Sequence, residues 1–85
     1  MEERLMVPRG FTLKIRADAG SSLAVMFEPS GMLYELGPSE VMFARLDDPE
    51  SEEMEIVYWE GGISLSPPGP VTTLDATGRE LHQLY

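Results

Sequence analysis

The chain contains no cysteine and only one histidine among its 85 residues. Without thiols it can form neither disulfide bridges nor thiolate metal sites, so burial of apolar side chains must hold the fold. His82 alone cannot supply the clustered imidazoles of a zinc, copper or cupin-type centre. We therefore expect no metal and no other cofactor.

Cationic residues are also scarce, since six lysines and arginines stand against fifteen aspartates and glutamates, a net charge of −9. Nucleic-acid binding depends on lysine and arginine neutralising phosphates, so we expect no direct nucleic-acid partner. An acidic balance favours solubility and can steer a protein towards a basic partner. A basic protein is the partner that this composition predicts.

Long apolar runs and familiar catalytic motifs are missing as well. No window approaches the roughly 18 apolar residues of a membrane span or forms a signal peptide, which predicts a cytoplasmic protein without membrane contact. The chain has no nucleophile elbow, no phosphate-binding loop and no dinucleotide fingerprint. A catalytic triad would have to use His82, close to the end of the sequence. We predict that the protein is not an enzyme.

Alternating patterns dominate what is present. In "FTLKIRA", residues 11–17, apolar side chains alternate with Thr12, Lys14 and Arg16, as in a half-buried strand with one cationic face. "SLAVMFE" resumes the pattern after a turn, so these two segments are predicted to form a hairpin. "VMFARL", residues 41–46, is apolar on both faces, which is typical of a central strand.

Turn residues recur roughly every ten positions, and no window carries a sustained helical period. Further strands are predicted in "MLYEL", "MEIVYWE" and "VTTLD", whereas "LHQLY" fits a short strand or a helical turn. The pattern predicts one all-β domain over residues 1–85, an antiparallel sandwich or barrel of about seven short strands. Residues 1–9 could form a flexible arm, and residues 47–53 an acidic inter-strand loop.

The acidic stretch "RLDDPESEEMEI" holds six carboxylates between Asp47 and Glu55. A calcium loop requires alternating acids and a central glycine, but Pro49 interrupts the acids and no glycine is present. Two interpretations remain, a solvated connection and the electrostatic rim of a partner-binding surface. The second predicts that the partner contacts Asp47, Asp48, Glu50, Glu52, Glu53, Glu55 and Trp59.

Tyr58 and Trp59 are neighbours in one predicted strand and therefore point to opposite faces. If Met54, Ile56 and Tyr58 face the core, Trp59 lies outside and resembles an interface anchor. If both faces of the strand are covered, Trp59 belongs to the core. The sequence leaves both arrangements open.

Residues 28–31, "EPSG", followed by Tyr34, Leu36, Pro38 and Glu40, form an E-P-x-G-x-x-Y-x-L-x-P-x-E pattern. With the later "VYWEGGISL", this pattern is similar to small bacterial β proteins of unassigned function. The resemblance covers about half of the chain and rests on turn motifs. It implies a small β fold and brings no activity with it. The single lysine and the absence of asparagine also suit a bacterium with a G+C-rich genome.

Three functional hypotheses follow. The first is a non-enzymatic acidic module that binds a basic protein partner, in the manner of an immunity protein or an inhibitor. The second is a structural homo-oligomer, joined through a strand edge or an exposed methionine and aromatic face. The third is a small-molecule-binding β-barrel or an enzyme, in which Glu35 or Glu60 would face a cavity.

Overall fold

The computed structural model describes residues 10–47 and 53–85, which form eight β-strands. None of these residues belongs to a helix, so the described chain has no helix long and apolar enough to cross a membrane. The all-β prediction is confirmed, with eight strands instead of about seven. The strands are β1 (Phe11–Arg16), β2 (Leu23–Phe27), β3 (Met32–Leu36), β4 (Val41–Leu46), β5 (Glu55–Trp59), β6 (Gly62–Ser66), β7 (Val71–Leu74) and β8 (Glu80–Leu84).

The strands form two four-stranded sheets and not a closed barrel. One has the order β1-β4-β7-β8 and is called the β1 sheet; the other has the order β3-β2-β6-β5 and is called the β5 sheet. Every pairing in the β1 sheet is antiparallel. In the β5 sheet, β2 and β6 run parallel, with Val25 opposite Ile63. The prediction of purely antiparallel pairing is therefore wrong at this one ladder.

The predicted hairpin between the first two strands does not form. β1 pairs with β4 in one sheet, and β2 pairs with β3 and β6 in the other. Pairing with the β4 side continues just after β1 ends, because the Ala17 amide donates to the Glu40 carbonyl at 2.9 Å. An alternating pattern determines which face of a strand is buried but not which strand lies beside it.

One apolar core lies between the inner faces of the two sheets. Val25, Phe27 and Leu65 enter it from the β5 sheet and are at most 1% exposed. β4 lies between β1 and β7, as its two apolar faces predicted. The core consists of Ile15, Ala17, Val25, Phe27, Leu36, Met42, Ala44, Leu46, Leu65, Val71 and Leu84.

Some predicted features fall outside the described residues. These are the N-terminal arm, residues 1–9, and the middle of the acidic loop, residues 48–52. At the other end of the sequence, "LHQLY" contributes to β8, so the strand alternative is the one that forms. A register shift between Thr73 and Leu74 interrupts the β7–β8 ladder.

Candidate functional site

β5 is the edge strand of its sheet, and all five of its residues are exposed. Four of them are large hydrophobic residues. Ile56 is 55% exposed, Val57 48%, Tyr58 75% and Trp59 38%. Scattered apolar residues are normal on a protein surface, but a contiguous set of large ones marks an interaction site. No other edge strand among the described residues is exposed along its whole length.

The exposure of β5 has a structural cause. Ile56 is paired with Leu65, and Tyr58 with Ile63, so these side chains continue the inner face of the sheet. Leu65 is buried, whereas Ile56 is more than half exposed. The core therefore ends at β6, and β5 extends beyond it. Met54, just before the strand, still packs against the core.

Trp59 lies on the opposite, outer face, where its indole covers Gly62 on the neighbouring strand. A Cβ atom added to Gly62 would lie only 2.5 Å from Cζ2 of Trp59 and 2.9 Å from the carbonyl oxygen of Ala24. Glycine is required here because the ring occupies the volume of a side chain. Trp59 is thus held in place while a substantial part of it stays accessible, which suits an interface anchor.

The outer face of the β5 sheet combines apolar side chains with carboxylates. One row across the strands contains Leu33, Met26, Ser64 and Val57, and the next row ends at Trp59. The rows follow from the pairing register, because residues directly opposite each other share a face. The acidic residues within or beside these strands are Glu28, Glu35, Glu53, Glu55 and Glu60.

Positive charge is confined to the other sheet in the described part of the chain. Lys14 and Arg16 lie in β1, Arg45 lies in β4, and Arg79 lies just before β8. The four strands of the β5 sheet contain no lysine and no arginine. The two sheets consequently differ in charge, and the β5 sheet presents only carboxylates to a charged ligand.

The predicted site residues are divided between the two sheets. Glu55 and Trp59 lie at the two ends of β5 and on the same face. Glu53 is exposed shortly before the strand. Asp47 follows β4 in the other sheet, where its Oδ1 lies 3.1 Å from Nε of Arg45. Asp48, Glu50 and Glu52 lie outside the described residues.

Sequence reasoning did not assign Ile56, Val57 and Tyr58 to the site. Their exposure depends on where the core ends, which requires the strand order. A local signal did exist, because the apolar strand is preceded by acids and followed by Glu60 and a glycine pair. Leu33 and Met26 join the same face only through pairing between strands, which no local pattern shows.

A second polar cluster joins the two sheets. The hydroxyl of Tyr34 on β3 lies 2.7 Å from Oγ1 of Thr73 on β7 and 2.9 Å from Nδ1 of His82 on β8. Burial raises the pKa of Tyr34 above its ordinary value of 10.0, against a smaller lowering by the hydrogen bond with Thr73. Thr73 is fully buried and also accepts from the His82 amide. The side chains of this cluster form hydrogen bonds with one another, and these bonds link the two sheets.

A cleft of about 480 Å³ opens beside this cluster, and the carboxylates of Glu35, Glu40 and Asp75 line it. Two of them already serve turns. Glu40 accepts from the Gly37 amide at 2.6 Å. Oδ1 of Asp75 accepts from the hydroxyl of Thr77 at 2.7 Å and from the Arg79 amide at 2.9 Å. Glu35 faces this open cleft, whereas Glu60 lies in the β5–β6 turn.

Within residues 10–47 and 53–85, no group of three or more acidic, histidine or cysteine side chains could hold a metal ion. No family model matches the chain, and no curated protein or solved structure matches it either. The interpretation of the site therefore depends on its own geometry and charge.

Proposed function

We propose that this chain is a non-enzymatic, acidic protein-interaction module that binds a basic protein partner. The observation that supports it is β5, where four exposed hydrophobic residues lie in a sheet without a described cation. The β5 surface is defined as residues 55–60. Its arrangement resembles protein interfaces, in which an apolar centre with aromatic anchors is surrounded by a polar rim.

The two kinds of residue contribute differently. Covering Ile56, Tyr58 and Trp59 removes apolar area from water and supplies most of the affinity. Glu55 and Glu60 at the rim favour a cationic partner and accelerate its association at low salt. Exposed ion pairs contribute at most about 1 kcal/mol each, so charge contributes more to the choice of partner than to the affinity.

This role is of the immunity-protein or inhibitor kind, in which a small acidic domain covers a basic effector. We also propose that the two sheets form a sandwich-type domain, that the protein is cytoplasmic, and that its relatives are bacterial β proteins. The acidic segment from Asp47 to Glu55 extends the rim, and within it Asp47 forms an ion pair with Arg45.

A pull-down with matched variants tests the proposal. The tagged chain is incubated with host extract at low salt, and proteins released by salt are identified. We expect a basic protein that the Tyr58→Ser variant fails to retain. Tyr85→Ser is the control, because Tyr85 is 79% exposed and Tyr58 is 75% exposed. Equal retention by the Tyr58→Ser variant would exclude β5 as the site.

Charge is tested separately by neutralising Asp47, Asp48, Glu50, Glu52 and Glu53 together as amides. Retention of the basic partner should fall; Asp47 and Glu53, the two described members of the set, are exposed. Unchanged retention would mean that the acidic segment is only a solvated connection. Circular dichroism and thermal unfolding of the variant check that the fold is intact.

A structural homo-oligomer is the second candidate, and one observation favours it. The outer face of the β1 sheet carries Lys14 and Arg45 beside Phe43, so it could complement the acidic β5 sheet of another copy. Such stacking joins unlike faces and continues into open chains unless it closes into a ring. Light scattering that finds a monomer over a wide concentration range would reject this candidate.

A further inference from the structure

We propose that the partner binds by β-strand addition, with an extended segment of alternating apolar and basic residues pairing along the outer edge of β5. The segment becomes a fifth strand of the β5 sheet. This inference rests on the proposed function and adds the binding mode and the chemistry of the bound segment. Strand addition is a common mode of peptide recognition, in which backbone hydrogen bonds supply affinity and side chains supply specificity.

The direction of the backbone groups follows from the neighbouring ladders. The Leu65 carbonyl in β6 accepts from the Glu28 amide, so Leu65 and Ile63 direct their backbone groups towards β2. Because the direction alternates along a strand, Ser64 and Ser66 face β5 and pair with Val57 and Glu55. The amides and carbonyls of Ile56 and Tyr58 must then point away from β6. No described strand pairs with that edge.

Exposure on both faces of β5 distinguishes strand addition from docking onto the sheet. A partner lying on the outer face would cover Val57 and Trp59 but leave Ile56 and Tyr58 in water. A strand added to the edge places side chains beside both pairs at once. It also satisfies the outward backbone groups of Ile56 and Tyr58. One bound segment thus contacts the exposed side chains on both faces and pairs with the edge that no described strand occupies.

Charge complementarity identifies the occupant. Glu55 opens β5, Glu60 follows it, and Glu53 precedes it, while the sheet contributes no described cation. An added strand with lysine or arginine at alternate positions can place them on the face of the sheet that carries Glu55. Pairing of β5 with β5 of a second copy would instead bring two chains of net charge −9 together along an acidic edge. A basic segment of another protein fits the edge better.

The first arm of the test uses a synthetic peptide, Lys-Val-Lys-Val-Lys-Val-Lys, blocked at both ends, and measures binding by isothermal titration calorimetry at low salt. Two derivatives carry N-methyl groups, one on the valine amides and the other on the lysine amides. Only alternate amides of an added strand face its neighbour. One derivative should therefore lose about tenfold or more in affinity, while the other binds like the parent.

The second arm changes the protein. Proline removes an amide and is tolerated at an edge position whose amide faces outward. Tyr58→Pro should lower affinity for the peptide about tenfold or more, and Tyr58→Thr, which keeps the amide, should lower it less. Thr12→Pro is the matched control. The Ala17 amide points towards β4, and because amide direction alternates along a strand, the Thr12 amide points away from β4, at the outer edge of β1.

The outcomes separate the two proposals. Binding that is equally sensitive, or insensitive, to both methylation patterns would overturn strand addition and leave the proposed function standing. Equal binding of the peptide with glutamate in place of lysine would overturn the charge assignment. Failure of every basic peptide to bind would overturn strand addition by such segments, and the proposed function would then depend on the pull-down. A dimer that Tyr58→Pro dissociates would show that a second copy occupies the edge, which also overturns the inference.

Discussion

At the residue scale, Trp59 and Gly62 form the contact that shapes the β5–β6 hairpin. Replacing Gly62 by alanine would place a methyl group against the indole and against the Ala24 carbonyl. Overpacking of this kind costs about 1–3 kcal/mol, so we expect Gly62→Ala to lower the free energy of unfolding by that amount. Urea unfolding measures it, and the emission of the single tryptophan should shift as the indole moves.

Gly20→Ala is the control, since a Cβ there would approach no atom more closely than the Asp18 carboxylate at 3.7 Å. Its effect should stay within about 0.5 kcal/mol. Equal stability of the Gly62→Ala and Gly20→Ala proteins would show that the indole does not rest on Gly62.

The hydroxyl of Tyr34 provides a second residue-scale prediction. Tyr34→Phe keeps the edge-on packing against Phe27, whose ring centroid lies 5.7 Å away, and removes only the bonds to Thr73 and His82. We expect a loss of about 1 kcal/mol in unfolding free energy. A double-mutant cycle with Thr73→Val should give a coupling energy of similar size. Tyr85→Phe, at an exposed tyrosine, should change the free energy of unfolding little. A coupling energy of zero would show that the hydrogen bond between Tyr34 and Thr73 does not link the two sheets.

Asp75 gives a prediction about pH. The Thr77 hydroxyl, followed by the Arg79 amide, holds the pKa of Asp75 below its ordinary value of 3.8. The native state therefore favours the ionised carboxylate, and the resulting stability is present above pH 3.8 and lost as the pH falls through the lowered pKa. The stability advantage of the wild type over Asp75→Ala should shrink over that acidic range.

Nuclear magnetic resonance titration of the carboxyl carbon checks the cause. In the Thr77→Val variant the pKa of Asp75 should rise towards 3.8, because the largest lowering contribution is gone. An identical titration curve in both proteins would contradict the assignment.

At the scale of strands, the sequence predicts which segments are extended but not how they pair. The two apolar faces of β4 predicted a central strand, because a central strand has neighbouring strands on both edges and other residues packed on both faces. The same reasoning could not separate a β1–β2 hairpin from the observed β1–β4 pairing. Alternation fixes a face, whereas pairing depends on contacts far apart in sequence.

β5 shows the same limit at the candidate site. The sequence placed Tyr58 and Trp59 on opposite faces and left open which face is covered. In the structure neither face is fully covered, because the core ends at Leu65 and β5 lies beyond it. That outcome follows from strand order, which no single strand pattern contains. The acidic character of the site was predictable, since it is a property of composition.

The backbone of β5 should exchange hydrogen in an alternating pattern. The amides of Val57 and Trp59 face β6, and those of Ile56 and Tyr58 face outward, so the second pair should exchange much faster. Native-state exchange followed by nuclear magnetic resonance measures each amide in the free protein. Equal protection of all four amides would mean that the outer edge is already covered.

At the scale of the whole molecule, charge is distributed between the sheets. The chain has a net charge of −9, yet every described lysine and arginine lies in or beside the β1 sheet. A cationic partner is therefore attracted more strongly towards the β5 sheet than towards the opposite one. The chain has few cationic residues, and none of the described ones lies in the β5 sheet. Their positions are enough to produce the asymmetry between the two sheets.

The most direct test of the central claim is chemical-shift mapping of the labelled protein during titration with the Lys-Val peptide. Strand addition at β5 predicts that the largest shifts fall on residues 53–66, covering β5 and β6, and that they weaken as salt is added. Shifts concentrated on β1 and β4, or spread evenly over both sheets, would contradict it.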